Sequence, residues 1–395
     1  MTSLEARREY EYAVVGCGGL GSAVAYWLAR RAGAAVVAFE QFELGHHRGG
    51  SQDHSRIIRN GYHDATYTAL TPHTFTAWAE VEAESGVQVV FPTGGLFMAA
   101  VDGGYADMID VYAGAMTAAG LPFERVDAQT IMERWPQFRF DAEVTGLCEE
   151  PMGLVDAAKG NAVHQALARA RGATLVERTP VERIEPVDDG AIVHADGRAF
   201  SVRRVVIAAG AWADEILSQL GYPLHLRVTQ EQVTYYSSPN LRDFAIGRFP
   251  TWIWEGDALL YGFPVYGEVA TKVAIDAGGH DVTARTRNFE PDPERERIQH
   301  EWMSRHLLGA LGPILYTKTC LYDMPPDRNF VLDRLPDHPQ ILVACGAGHA
   351  YKFAALIGRI MSELAVDGET ELPIEPFAIG RPAITDPGYV ADFRI

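Results

Sequence analysis

Two kinds of apolar pattern alternate along this chain, and their order predicts its architecture. Residues 12–15 are a continuous apolar run, the mark of a strand covered on both faces. Glycines crowd residues 16–21. From 22 to 32 Ala, Val and Leu return at helical spacing until Gly33 stops them. Residues 35–40 form a second apolar run, so the opening stretch predicts a βαβ unit.

Further on, residues 87–91 and 95–99 read as strands, 105–119 and 128–134 as helices, and 156–171 as an Ala-rich helix before a strand at 174–176. Alternation at 181–184, 191–194 and 198–202 predicts a small antiparallel insertion. Val205-Val206-Ile207-Ala208-Ala209-Gly210 is again a buried strand. Strand-rich sequence fills 224–277, and 292–308 is helical and charged. Residues 340–344 are a last buried strand, followed by Gly346-Ala347-Gly348 and a long apolar helix through 365. Buried strands at the start, middle and end, with antiparallel material between, predict an α/β fold. A Rossmann-type nucleotide domain is expected from 1–93, 151–222 and 325–395. An inserted α+β substrate domain with an antiparallel sheet is expected from 94–150 and 223–324. There are no internal repeats.

Composition narrows this little. The chain has 395 residues, 47% hydrophobic and 22% charged, ordinary for two globular domains. Its net charge of −18 without a basic block argues against nucleic acid as a partner. Cys17, Cys148, Cys320 and Cys345 form no CxxC pair and no disulfide framework, which fits a reducing cytoplasm. No apolar run approaches the ~20 residues that span a bilayer. Residues 1–10 are too polar for a secretory leader, and Asp392-Phe393-Arg394-Ile395 is no peroxisomal address. The histidines of Gly45-His46-His47-Arg48-Gly49-Gly50, with His54 and His63, lack metal-ligand spacing, so no metal is expected.

Gly16, Gly18 and Gly21 form GxGxxG between strand and helix, where the backbone can approach a pyrophosphate at the helix N-terminus. Glu40 closes the second strand about 20 residues on, the place of a ribose-binding carboxylate. The motif alone does not separate FAD from a nicotinamide cofactor. Residues 205–212 and the closing Gly346-Ala347-Gly348-His349-Ala350-Tyr351-Lys352-Phe353 do, because they resemble FAD-contacting segments of amine oxidases.

These pieces, with Ser55-Arg56-Ile57-Ile58-Arg59, Tyr261-Gly262-Phe263-Pro264, Lys272, and Cys320 with Tyr322, resemble the monomeric sarcosine oxidase family over essentially the whole chain. The resemblance implies a monomeric FAD-dependent enzyme that oxidises the C–N bond of a secondary amine or amino acid and reduces dioxygen to hydrogen peroxide. It implies FAD bound covalently through Cys320, which read alone is better taken as a buried free thiol. It implies cofactor contacts at Ser51, Val181, Gly210, Trp212, Gly346 and Gly348, besides Arg56 and Lys352. Arg56 would lie over the flavin ring, with Arg59 binding the substrate carboxylate; their spacing is that of one helical face. Lys352, in the first turn of an apolar helix where a cation needs an anion, would join Arg59. Lys272 would activate dioxygen through its charge. Tyr261 would act in catalysis, and Tyr322 and Trp254 would contact substrate.

The chain departs from sarcosine oxidase at three positions. Asp276 and Gln52 stand where that family has histidines, and Glu231 replaces an arginine, which implies a more acidic pocket. Asp276 shares a strand face with Lys272, about 13 Å away at ~3.3 Å per residue. With the 346–353 motif it resembles the nikkomycin-pathway flavoenzyme that oxidises piperidine-2-carboxylate. Asp276 would accept the amine's proton or orient the ring, the first being expected. Trp252, Trp254, Tyr235, Tyr236 and Tyr261 would wall a flatter pocket, or serve as core. Demethylation of sarcosine or another N-methyl amino acid, and an FAD-dependent dehydrogenase passing electrons to a carrier, are the alternatives.

Overall fold

The structure is a computed structural model that describes residues 8–393. The first seven residues and the last two, on which the leader and address readings partly rest, lie outside the described residues.

An eight-stranded sheet gathers segments far apart in sequence. Glu9–Val15 lies between Val36–Phe39 and Arg198–Ile207, parallel to both, and Ile341–Cys345 adds in parallel beside 205–207. Every residue of Val36–Phe39 and Ile341–Cys345 is buried, which explains their unbroken apolar runs. Helix Gly19–Ala32 covers one face and packs on helices Ala157–Ala170 and Ala354–Val366. The packing is close: a Cβ at Gly358 would fall 2.7 Å from the Ala23 backbone.

A nine-stranded, largely antiparallel sheet gathers Gly95–Ala100, Glu124–Asp127 and Val144–Glu149 with strands between Arg227 and Met324. Long strands Arg227–Tyr236 and Ile314–Met324 pair antiparallel along nearly their whole length. Helix Pro293–His306 covers the outer face, where Trp302 stacks on Trp252 at 4.6 Å. A small third sheet, Arg56–Ile58, Gly153–Val155 and Val90–Pro92, lies beside these.

Three expectations about local structure are corrected. Arg56 and Arg59 do not share a helical face, because Arg56–Ile58 is a strand held by Gly153–Val155. Lys352 lies in a 3-10 turn, Ala350–Phe353, that precedes the apolar helix. The strand expected at 87–91 is Val90–Pro92, since Glu82 accepts the Val89 and Val90 N–H groups. Helix Ala65–Ser85, capped by Asp64, has no counterpart in the sequence reading.

Candidate active site

A cavity of ≈ 530 Å³ runs from the glycine turn to the inner face of the nine-stranded sheet. At its first end Gly16 adopts φ 93, and a Cβ there would lie 2.5 Å from the Ala208 carbonyl oxygen. A Cβ at Gly21 would lie 1.8 Å from the Gly16 oxygen. Only glycine permits this turn. Gly21 therefore serves the turn from behind, while Gly16 and Gly18 line the cavity. Helix Gly19–Ala32 starts with no side-chain cap and no acidic residue in its first turn, which leaves its positive end to an anion.

Glu40 also faces the cavity. Its carboxylate accepts the N–H groups of Cys17 at 2.9 Å and Phe42 at 3.0 Å. Burial alone would raise its pKa, but His46 and these two N–H groups overcome that and hold it below the usual range. Ser51, Val181, Gly210 and Trp212 line the same end. A glycine cradle, an open helix terminus and a placed carboxylate, continuing to Gly346 and Gly348, fit an elongated dinucleotide of the FAD type.

The other end is rich in charge. Arg56 threads the 50–55 loop, donating to the carbonyls of Gly50, Gln52 and Ser55 at 2.9–3.0 Å. Arg59 is 8% exposed and lies over the Tyr62 ring at 4.5 Å. Its Nε has no partner among the described residues. Two buried carboxyls flank it. Glu149 accepts the N–H groups of Asn60 and Gly61, and burial pushes its pKa up to about 7. Glu255 accepts from Tyr112 at 2.6 Å, and burial raises it too. Lys352 donates to Tyr62 at 2.8 Å, and burial together with Arg59 pushes its ammonium well below the usual lysine value. Tyr261, Asp276 and Tyr322 complete the wall.

Asp276 is ion-paired. Arg328 Nη2 donates to its two oxygens at 3.0 and 2.8 Å, and Tyr322 donates at 3.3 Å. Burial would raise the Asp276 carboxyl, but Arg328 holds it below the usual range. This bidentate pairing weakens Asp276 as a base and suits it to orienting a substrate. Glu231 stands off the cavity wall. It pairs with Arg295 at 2.8 Å and accepts from Thr229 and Gly279, away from the wall.

Six other expected residues stand off the wall. Trp254 faces outward with Trp252 and stacks on Phe140 and His306, because strand alternation turns Ile253 to the cavity instead. Tyr235 and Tyr236 are core residues bonded to Asp53 and Gln299. Lys272 lies behind the 53–56 loop, with Nζ 2.7 Å from the Ser55 carbonyl and 2.5 Å from Asp53. Cys320 is half-buried one residue before the lining residues Leu321 and Tyr322. Burial pushes its thiol up, while Arg56, Arg287 and Lys272 act the other way.

The sequence reading missed Asp53, Arg328, Glu149 and Arg287. Asp53 is 3% exposed at φ 143, a conformation that side chains rarely adopt, and it faces Lys272, Arg56 and Tyr235. Arg287 ties the 48–50 loop to the Cys320 strand through the carbonyls of Arg48 and Thr319. Two prolines before Asp327-Arg328 were the available signal for a fixed turn at Arg328.

A nucleotide cradle opening onto a cationic, aromatic pocket defines a flavin-binding oxidoreductase. The chain belongs to the FAD dependent oxidoreductase family, whose model matches residues 11–364. It is 34% identical to monomeric sarcosine oxidase of Streptomyces avermitilis, over 93% of this chain and 96% of that protein. It is 28% identical to N-methyl-L-tryptophan oxidase of Escherichia coli, over 94% and 99%. Among solved structures it resembles the open form of NikD, described as an unusual amino acid oxidase essential for nikkomycin biosynthesis. That match has a TM-score of 0.84 and 26% identity, over 94% of this chain and 97% of NikD.

Proposed function

We propose that this flavoprotein oxidises the C–N bond of a carboxylate-bearing secondary or cyclic amine to the imine, with dioxygen reduced to hydrogen peroxide. The observation that carries this reading is the pairing of opposite charges on one cavity wall: Arg59 and Lys352 for a carboxylate, Asp276 for an amine. FAD held from Gly16 to Gly348 supplies the acceptor for a hydride equivalent leaving the substrate carbon. The nitrogen lone pair must be free for the C=N bond to form, so the amine reacts unprotonated. Asp276 orients its remaining N–H. Ile57, Ile253, Leu259 and Tyr261 give the pocket an apolar side that suits a ring or bulky substituent better than a methyl group.

In this reading Cys320 would hold the flavin covalently and Arg56 would lie against its ring. Lys272 serves the oxygen half-reaction, Tyr322 holds Asp276 in place, and the enzyme is a cytoplasmic monomer. The FAD domain comprises 1–93, 151–222 and 325–395, and the remainder forms the substrate domain. The test is an anaerobic screen of secondary amino acids, read by bleaching of the flavin, followed by peroxide measurement on admitting air. Bleaching by piperidine-2-carboxylate or proline in preference to sarcosine, with one peroxide formed per amine, is expected. Bleaching without peroxide would make the enzyme a dehydrogenase, and preference for sarcosine would overturn the substrate class.

A further inference from the structure

We propose that Arg328 is a positioning residue that fixes both polar groups facing the substrate amine, Asp276 and His349, and that the segment ending at Phe393 holds Arg328 in place. This rests on the reading of the cavity as an amine site.

Arg328 follows Pro325-Pro326-Asp327, is 1% exposed, and adopts φ 51. A buried arginine in this conformation is held by its surroundings. Its side chain has two attachments. Nη2 bonds both oxygens of Asp276, and Nη1 donates to the Phe393 carbonyl at 3.1 Å. Its own carbonyl lies 3.2 Å from Nε2 of His349. A carbonyl only accepts, so Nε2 carries the proton and Nδ1 keeps the lone pair. Nδ1 is buried without a partner among the described residues. Burial, with Lys352 and Arg328 nearby, keeps this imidazole neutral. One residue thus orients a carboxylate through its guanidinium and fixes a tautomer through its backbone, and both groups line the cavity.

The tail supplies the outer support. The Asp392 N–H donates to the Pro326 carbonyl at 2.9 Å, so residues 392–393 attach to the 325–328 turn at two points. Arg227 lies over the Phe393 ring at 5.0 Å. Arg381 pairs with Asp327 at 2.7 Å and closes the same turn.

Without Arg328 the carboxyl of Asp276 would still face Lys352 and Arg59, with Tyr322, Tyr261, Tyr62 and Glu255 around it. Burial would then dominate more, and protonation would move towards neutral pH.

The test uses the flavin-loaded enzyme with two ligands: piperidine-2-carboxylate, which has the ring nitrogen, and cyclohexanecarboxylate, which lacks it. Affinities are read from the flavin absorbance, under anaerobic reduction for the first and direct perturbation for the second. Arg328→Gln should weaken piperidine-2-carboxylate about tenfold, the size of one charge-assisted contact, and leave cyclohexanecarboxylate unchanged. It should also give flavin reduction a new acid limb. Arg328→Lys should recover part of the loss, and removal of residues 389–395 should reproduce it in part. Equal weakening of both ligands, or an unchanged pH profile, would overturn the proposal.

If Arg328→Gln does not fold, the Arg328→Lys and truncated enzymes give the same readouts. If no amine reduces the wild-type flavin, the functional reading fails by itself. The Arg328–Asp276 assignment is then read from thermal unfolding of Arg328→Gln, Asp276→Asn and the double variant. Non-additive losses support it, and additive losses overturn it.

Discussion

Lys272 Nζ lies 2.5 Å from a carboxylate oxygen of Asp53, and each side chain is 2% exposed. Burial brings the lysine down to about 8, although Asp53 works to raise it. The same burial would raise Asp53, yet Lys272 and Arg56 hold that carboxyl far below its usual range. The pair is therefore ionised at neutral pH, and the ammonium is lost as pH climbs past about 8. If Lys272 serves dioxygen, flavin reoxidation should slow above that pH while amine-driven reduction does not follow it. Lys272→Met should slow reoxidation on the order of 100-fold or more, at the scale of one lost electrostatic group, and abolish the alkaline fall. Stopped-flow measurement of the two half-reactions checks both.

Cys320→Ser should release the flavin while preserving the fold. Acid precipitation should leave yellow colour in the wild-type pellet and move it to the supernatant in the variant. Colour in the wild-type supernatant would show a non-covalent cofactor.

If Arg59 and Lys352 bind the substrate carboxylate, as proposed, the carboxylate is a requirement. Arg59→Met should raise the substrate concentration needed for half-maximal reduction by about 10- to 100-fold, the equivalent of ~1.5–3 kcal/mol for a charge-assisted hydrogen bond. Equal turnover of proline and pyrrolidine by the wild type would contradict the requirement.

Glu149 gives the stability a pH dependence. Its folded pKa is raised by burial to about 7, above the unfolded value, so the native state binds more protons between those limits. Stability should fall as pH rises from about 4.5 to about 7, by on the order of 1–3 kcal/mol from this group. Glu149→Gln should flatten that slope in thermal unfolding scans between pH 5 and pH 8. An unchanged slope would show that the carboxyl titrates normally.

Continuous apolar runs made the parallel strands legible, since Val36–Phe39 and Ile341–Cys345 are buried at every position. Helix Ala128–Arg134 was legible to the residue because Asp127 caps it. Helix Ala65–Ser85 was not. Five threonines and Pro72 interrupt its apolar period, and packing on helix Ala354–Val366 supplies what propensity lacks. In the site, motif residues such as Gly16, Glu40, Arg59 and Lys352 were legible, whereas face was not: Trp254 and Ile253 are neighbours in sequence but point opposite ways. Ion pairing was equally hidden. Nothing local in Asp276 or Glu231 announces Arg328 or Arg295, dozens of residues further along the chain.

The strand order has a consequence for synthesis. The cradle at Gly16 is walled in part by Gly346, Gly348 and Tyr351, and Ile341–Cys345 joins the parallel strands by pairing with 205–207. At ~5–20 residues per second, the interval between the first of these segments and the last is on the order of tens of seconds. From the synthesis of 205–207 until that of 341–345, the nascent chain holds the apolar edge of that strand uncovered. Cofactor capture must then be a late, nearly post-translational event, and a chain stalled before residue 341 should neither retain flavin nor stay free of chaperones.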